Sequence, residues 1–145
     1  MFDKILVPLD GSEFSYKALD YAIDIAKKFS SELLLVHIVP TTTAFLTGPD
    51  SLGSSLLIDL KKQLEESGHR ILTTGEARAN KVEVNVTTKI DYGNPVDKIL
   101  NMVKEEKIDL VVMGHRGLGR AGRFFLGSVS DNVSRNVTCP ILIVK

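Results

Sequence analysis

The residues most able to do chemistry lie between 114 and 131. Gly114, Gly117, Gly119, Gly122 and Gly127 alternate with Arg116, Arg120 and Arg123, after an apolar run at 108–113 and before a helix-like segment starting near Ser128. Glycines let a backbone approach a ligand closely and take positive φ at little cost. Arginines pair with phosphate oxygens, and the free N–H groups of a helix start attract anions. The stretch therefore reads as an anion cradle. Its specific part is the spacing Gly114-x2-Gly117-x9-Gly127-Ser128. The first pair would form a tight loop directly off a strand, and the second would aim helix N–H groups and a hydroxyl at the same anion. A plain surface loop is the bland alternative.

Two other phosphate motifs fail in this region. Gly117-Leu118-Gly119-Arg120-Ala121-Gly122 fits G-x-G-x-x-G. It starts several residues after the strand, however, and no periodic helix opens at Gly122, as a dinucleotide fingerprint requires. A Walker A loop ends in Gly-Lys-Ser/Thr, and the stretch contains no lysine. Elsewhere, Asp10 stands at a strand end, where it either joins phosphate oxygens around Mg²⁺ or caps the first helix. His37, in an apolar strand, reads as a satisfied core histidine rather than a catalytic one. His115 is placed either at the site or on a solvated loop, and His69 on a helix surface. No Ser/His/Asp trio or carboxylate pair stands at a readable spacing, so no catalytic residue is named.

These residues need elements to position them. Residues 4–9, with Ile5-Leu6-Val7 apolar on both faces and Pro8 near the end, suit a strand buried in a parallel sheet. Asp10-Gly11-Ser12 supplies turn and N-cap chemistry. Phe14, Ala18, Tyr21, Ala22, Ile25 and Phe29 then recur at helical spacing. A second apolar run at 33–39 stops at Pro40, which completes a βαβ crossover. Residues 41–55, rich in Thr, Ser, Gly and Pro, exceed the usual connection and read as a mobile lid or a disordered insert. From Leu56, the stripe Leu57, Leu60, Leu64, Ile71, Leu72 and Gly75 predicts one long helix, with a bend expected near Gly68.

Val82, Val84 and Val86 alternate with polar residues, which predicts a peripheral third strand there. Asn94 and Pro95 give an N-cap and a first-turn proline to a helix bearing Val96, Ile99, Leu100 and Val103. Residues 108–113 form the fourth strand. Ser128 with Asp131 matches a capping box for a helix carrying Val129, Val133 and Val137, and residues 140–145 close the chain as a fifth strand.

The pattern is a single α/β domain over residues 1–145: a five-stranded, parallel, doubly wound Rossmann-like sheet of order 3-2-1-4-5 with helices on both faces. Ligands of such sheets bind beyond the carboxyl ends of the strands, where strand order reverses. That crevice lies between strands one and four, so the loop at 8–12 and the glycine stretch converge on it. A receiver domain phosphorylated on Asp10 would need acids clustered after the first strand and an acceptor aspartate ending the third. Gly11 follows Asp10, and Asp91 lies beyond 87–90.

Composition sets outer limits. Lysine plus arginine and aspartate plus glutamate balance at 18 each, so no global field draws the chain to nucleic acid or an anionic membrane. The lone Cys139 makes no internal disulfide and no metal site, and is expected to be a buried, inert thiol. With no signal-like leader and no apolar run of membrane-spanning length, a cytoplasmic location is expected.

At Gly114, Gly117, Gly127 and Ser128 the sequence resembles the ATP-binding branch of the universal stress protein family, whose nucleotide signature is Gly-x2-Gly-x9-Gly-Ser/Thr. The likeness extends to residues 4–12, 36–39 and 139–144. It implies that Pro8, Leu9 and Asp10 line a nucleotide pocket, with Asp10 near the metal or ribose and the backbone of Ile38 or Val39 near adenine. Met113, Gly114, Arg116, Gly117, Gly127, Ser128, Val129 and Ser130 would carry the ribose and phosphates. The family often has Thr or Val at the position of Leu9, and His115, Arg120 and Arg123 fall at variable positions. ATP and Mg²⁺ are the implied ligands. The implied role is a nucleotide-dependent regulatory or stress-response module, with a slow ATPase or nucleotidyl transferase as the alternative. At the sheet edge, the apolar strand at 141–144 would expose unpaired N–H and C=O groups, which self-pairing across a two-fold axis would cover. The resemblance likewise implies a homodimer through this strand.

Overall fold

Lys4–Pro8 forms β1, whose Ile5, Leu6 and Val7 are fully buried, as a run apolar on both faces requires of a central parallel strand. The computed structural model describes residues 1–41, 54–117 and 126–145. Ser12 caps the following helix, α1 (Glu13–Phe29), by accepting a bond from the Ser15 N–H, and Ser30 ends it in the left-handed region. Its buried line is Ser15, Ala18, Leu19, Ala22, Ile23 and Ala26. That line is rotated from the expected one, because small side chains let α1 lie close on the sheet. Tyr21 and Phe29 are therefore exposed, and Phe29 instead meets the Phe2 ring edge-on at 5.3 Å.

β2 (Glu32–Val39) is followed, beyond the described residues, by α2 (Ser54–Asn80). Residues 42–53, most of the expected lid or insert, lie outside the described residues. The third strand differs from expectation. α2 runs on to Asn80, the N–H groups of Val82 and Glu83 bond back to Ala79 and Asn80, and Glu83 takes a φ of 58°. Val82 and Val84 thus belong to the turn that ends the helix, and β3 spans Val86–Tyr92. It is peripheral, as expected.

Asn94 caps α3 (Pro95–Glu105) through its side chain, which accepts from the Asp97 N–H at 3.2 Å. β4 (Leu110–Gly114), α4 (Ser128–Asn136) and β5 (Ile141–Val144) complete the chain. The expected capping box at Ser128 is not formed. Gly127 occupies the cap position, Ser128 is the first helical residue, and Asp131 pairs instead with Arg135 one turn on, at 3.1 Å.

The sheet is parallel throughout, in the order β3-β2-β1-β4-β5, with Ile5 in register with Leu33 on one side and Leu110 on the other. On one face, Ile5, Val7, Leu33, Leu35 and Val112 pack with Ala18, Leu19 and Ala22 of α1 and Leu72 and Ala79 of α2. On the other, Leu6, Leu34, Val36 and Val111 pack with Ile99, Met102 and Val103 of α3 and Val133 of α4. Cys139 packs beside this second layer, and burial pushes its thiol pKa up, which suppresses the reactive thiolate. At the start of β1, Lys4 reaches Glu106 at 3.0 Å, and Lys89 reaches the same carboxylate at 3.5 Å. The Lys4 hydrogen bond and charge hold the Glu106 pKa below its ordinary value. Among the described residues, no helix is long and apolar enough to cross a membrane.

Candidate functional site

The site forms where β1 and β4, neighbours in the sheet, send their chains to opposite faces. After β1, the Leu9 N–H donates to the Val36 carbonyl at 2.8 Å, which extends the contact with β2 by one residue. Gly11 then turns the chain with a φ of 85°. Within this turn, Asp10 Oδ1 accepts the Ser12 N–H at 2.9 Å. Asp10 therefore braces the loop, while the capping role belongs to Ser12.

After β4, the His115 N–H donates to the Val144 carbonyl at 2.8 Å. The His115 carbonyl in turn accepts the Gly127 N–H and the Ser130 hydroxyl, each at 2.6 Å. The two ends of the glycine stretch are thus pinned to each other. Close approach explains the residue types. A Cβ at Gly114 would lie 2.9 Å from the backbone of Phe14, and one at Gly127 would lie 3.0 Å from Arg116 Cα. At Gly117, a Cβ would come closer than 3.0 Å to Asp10 Oδ2, so the cradle and the Asp10 turn meet there.

The α4 start faces the same space. Its first helical bond runs from the Asp131 N–H to the Gly127 carbonyl at 2.9 Å, so the N–H groups of Ser128, Val129 and Ser130 precede the intrahelical ladder. Gly127 has no side chain to cap them, unlike Ser12 on α1 and Asn94 on α3. The Arg116 guanidinium lies over the Phe14 ring at 4.7 Å, and the His115 ring meets that ring edge-on at 4.5 Å.

Together these walls enclose a cavity of about 650 Å³, a size suited to a small organic ligand. Pro8, Leu9, Asp10, Ile38, Met113, Gly114, Arg116, Gly117, Gly127, Ser128, Val129 and Ser130 all line it. Val39 does not. It is 1% exposed within the sheet, and its carbonyl accepts the Gly93 N–H at 3.0 Å. His115 adjoins the lining without joining it, and its Nδ1 is buried with no hydrogen-bond partner among the described residues. His69 is on the helix surface as expected. Arg120 and Arg123 lie outside the described residues.

Other lining residues were not anticipated: Leu64, Ser67 and Ile71 of α2, Pro40, Pro95 and Ile99, together with Ser15, Val36 and His37. Leu64 and Ile71 were legible as an apolar helix stripe, but a stripe looks the same whether it covers core or roofs a cavity. No group of three or more His, Cys, Asp or Glu side chains able to hold a metal occurs among the described residues. Among the described residues, Asp10 is the only carboxylate in the lining. The arrangement can therefore take an apolar or aromatic group against Ile38, Leu64 and Ile71. It can also take an anionic group, against the α4 start and Arg116.

The family model described as "Universal stress protein family" matches residues 1–145. Universal stress protein YxiE of Bacillus subtilis (strain 168) is 37% identical over 148 residues, an alignment covering 100% of both chains. Universal stress protein UspA from Lactobacillus plantarum shares the fold with a TM-score of 0.88 at 23% identity, covering 99% of this chain and 98% of that one. A universal stress protein solved in complex with cAMP is 27% identical with a TM-score of 0.70, covering 99% of this chain and 97% of its own.

Proposed function

The chain belongs to the universal stress protein family, and we propose that it is a cytoplasmic, ATP-binding regulatory or stress-response module. The observation that carries this reading is the junction of Gly117 with Asp10, in a cavity also lined by the start of α4, whose N–H groups no side chain caps. The similar protein solved with cAMP supports an adenine nucleotide as the ligand class. In this reading adenine lies against Ile38 and the apolar wall. Ribose and phosphates lie along Met113, Gly114, Arg116 and Gly117, then Gly127, Ser128, Val129 and Ser130, with Pro8 and Leu9 closing the pocket.

Phosphate oxygens fit the loop because a Cβ at Gly117 or Gly127 would crowd its facing wall. Asp10 fits Mg²⁺ as a single carboxylate ligand, the usual pattern when phosphates and water supply the remaining oxygens. Isothermal titration with Mg-ATP tests the reading: saturable binding is expected, and no heat of binding at millimolar nucleotide would refute it.

Hydrolysis is expected to be weak at most, since among the described residues the lining offers no second carboxylate and Asp10 Oδ1 already accepts the Ser12 N–H. A single-turnover assay should recover bound ATP mostly intact. Rapid stoichiometric release of ADP would favour an ATPase or transferase. β5 lies at the sheet edge with Ile141, Leu142 and Ile143 half-buried, which supports a homodimer formed by pairing two copies of this strand. Sedimentation should give a dimer at micromolar concentration, and a monomer would exclude this pairing.

A further inference from the structure

His37 sits at a junction that ligand binding alone does not require. Its side chain is part of the cavity wall, and Nδ1 lies 2.7 Å from the Leu9 carbonyl oxygen. A carbonyl only accepts, so Nδ1 carries the proton and donates. The Leu9 N–H is already held by Val36, so β2 grips both backbone polar groups of Leu9. The next residue is Asp10, whose carboxylate is braced by the Ser12 N–H and faces Gly117.

The other side of the imidazole abuts α2. A Cβ at Gly68 would lie 2.5 Å from His37 Cδ2, 3.2 Å from His37 Nε2 and 2.9 Å from Ile90 Cδ1. Glycine is a poor helix former, and Gly68 is an interior residue of the 27-residue α2. Its absent side chain is what admits the ring. The imidazole is therefore confined between α2 and the Leu9 carbonyl, with one donor aimed at the loop that carries Asp10.

We propose that His37 is a positioning residue of the nucleotide site, acting through the Leu9 carbonyl to hold Asp10 toward Gly117 and the ligand. This rests on the adenine-nucleotide reading above. The role is geometric rather than titratable, because Nδ1–H is present in both the neutral and the protonated ring. A histidine that merely filled the core would affect overall stability, with no particular link to Asp10.

The first test needs no ligand. The Ser12 amide donates to Asp10 Oδ1, so its hydrogen exchange reports how well Asp10 is held. His37→Phe keeps a ring and removes the donor. Ser12 exchange should then quicken by about tenfold, the order one lost hydrogen bond supplies, with the β1 amides of Leu6 and Val7 unchanged. His37→Asn, whose side-chain N–H can reach the same carbonyl, should restore protection. Unchanged Ser12 exchange in His37→Phe would overturn the proposal.

The second test is titration with Mg-ATP. His37→Phe should weaken binding by about tenfold in the wild-type background and by less than about twofold in Asp10→Asn, while its effect should combine independently with Ser128→Ala. Equal losses in every background would also overturn it. Failure of the wild-type chain to bind Mg-ATP would refute the nucleotide reading, and Ser12 exchange would still decide whether His37 positions Asp10.

Discussion

Gly117→Ala isolates the contact on which the proposed site depends. The new Cβ would lie 3.4 Å from Asp10 Cγ and closer than 3.0 Å to Oδ2. A carbon and an oxygen settle at roughly 3.3 Å or more, so the carboxylate has to move. Gly117 is not among the residues with positive φ, so backbone strain contributes nothing and the effect is steric. Asp10 has a short side chain, and turning it away carries Oδ1 off the Ser12 N–H, a 2.9 Å bond. A hydrogen bond to a charged group contributes about 1.5 to 3 kcal/mol, which corresponds to about 10- to 150-fold in affinity if the displaced carboxylate no longer serves the ligand. The assay is calorimetric titration with Mg-ATP across wild type, Gly117→Ala, Asp10→Ala and the double variant. In the Asp10→Ala background the added methyl meets no carboxylate, so the second substitution should change affinity by less than about twofold. Wild-type affinity in Gly117→Ala, or strictly additive losses in the double variant, would refute the reasoning.

Gly68→Ala should destabilise the fold by about 1 to 3 kcal/mol through overpacking against His37 and Ile90, and the loss should largely disappear in a His37→Ala background, as urea denaturation would show. Ser130→Ala removes the hydroxyl that donates to the His115 carbonyl, which keeps its bond from the Gly127 N–H. The cost should be about 1 kcal/mol, read as a fall in Tm of about 3 to 4 °C. Glu106 has a lowered pKa in the folded chain because of Lys4, so its contribution is present at neutral pH and is lost as pH falls through that lowered value. The difference in denaturation midpoint between wild type and Glu106→Gln should therefore close on acidification, and a difference that persisted through the acid range would contradict this.

The alternation of strands and helices, the cap at Asn94 and the stop at Pro40 were legible in the sequence because each is set by residues a few positions apart. The glycine spacing was legible for the same reason, since Gly114 ends β4 and Gly117 follows it closely, while Gly127 caps α4 and Ser128 opens it. The bounds of the third strand were not. Alternating valines at 82, 84 and 86 suit a strand, yet only Val86 onward finds a partner, in register with Leu33 and the rest of β2. Pairing depends on what lies alongside, and α2 continues through Asn80 until its C-terminal turn releases the chain. The capping box failed similarly, because Gly127 takes the cap position, which leaves Ser128 as the first helical residue, and Asp131 pairs with Arg135.

Local periodicity and spacing, read along the chain, thus determined the alternating elements and the two loops of the candidate site, and they are the source of the expectation that its ligand is anionic. The roof of the cavity was decided only by tertiary packing. Leu64, Ser67 and Ile71 reach it because α2 lies across the carboxyl end of β2, and His37 meets Leu9 and Gly68 because three elements distant in sequence close on one ring. Such contacts leave no periodic trace. A glycine in a helix and a histidine in a strand look like isolated imperfections until the fold places one against the other.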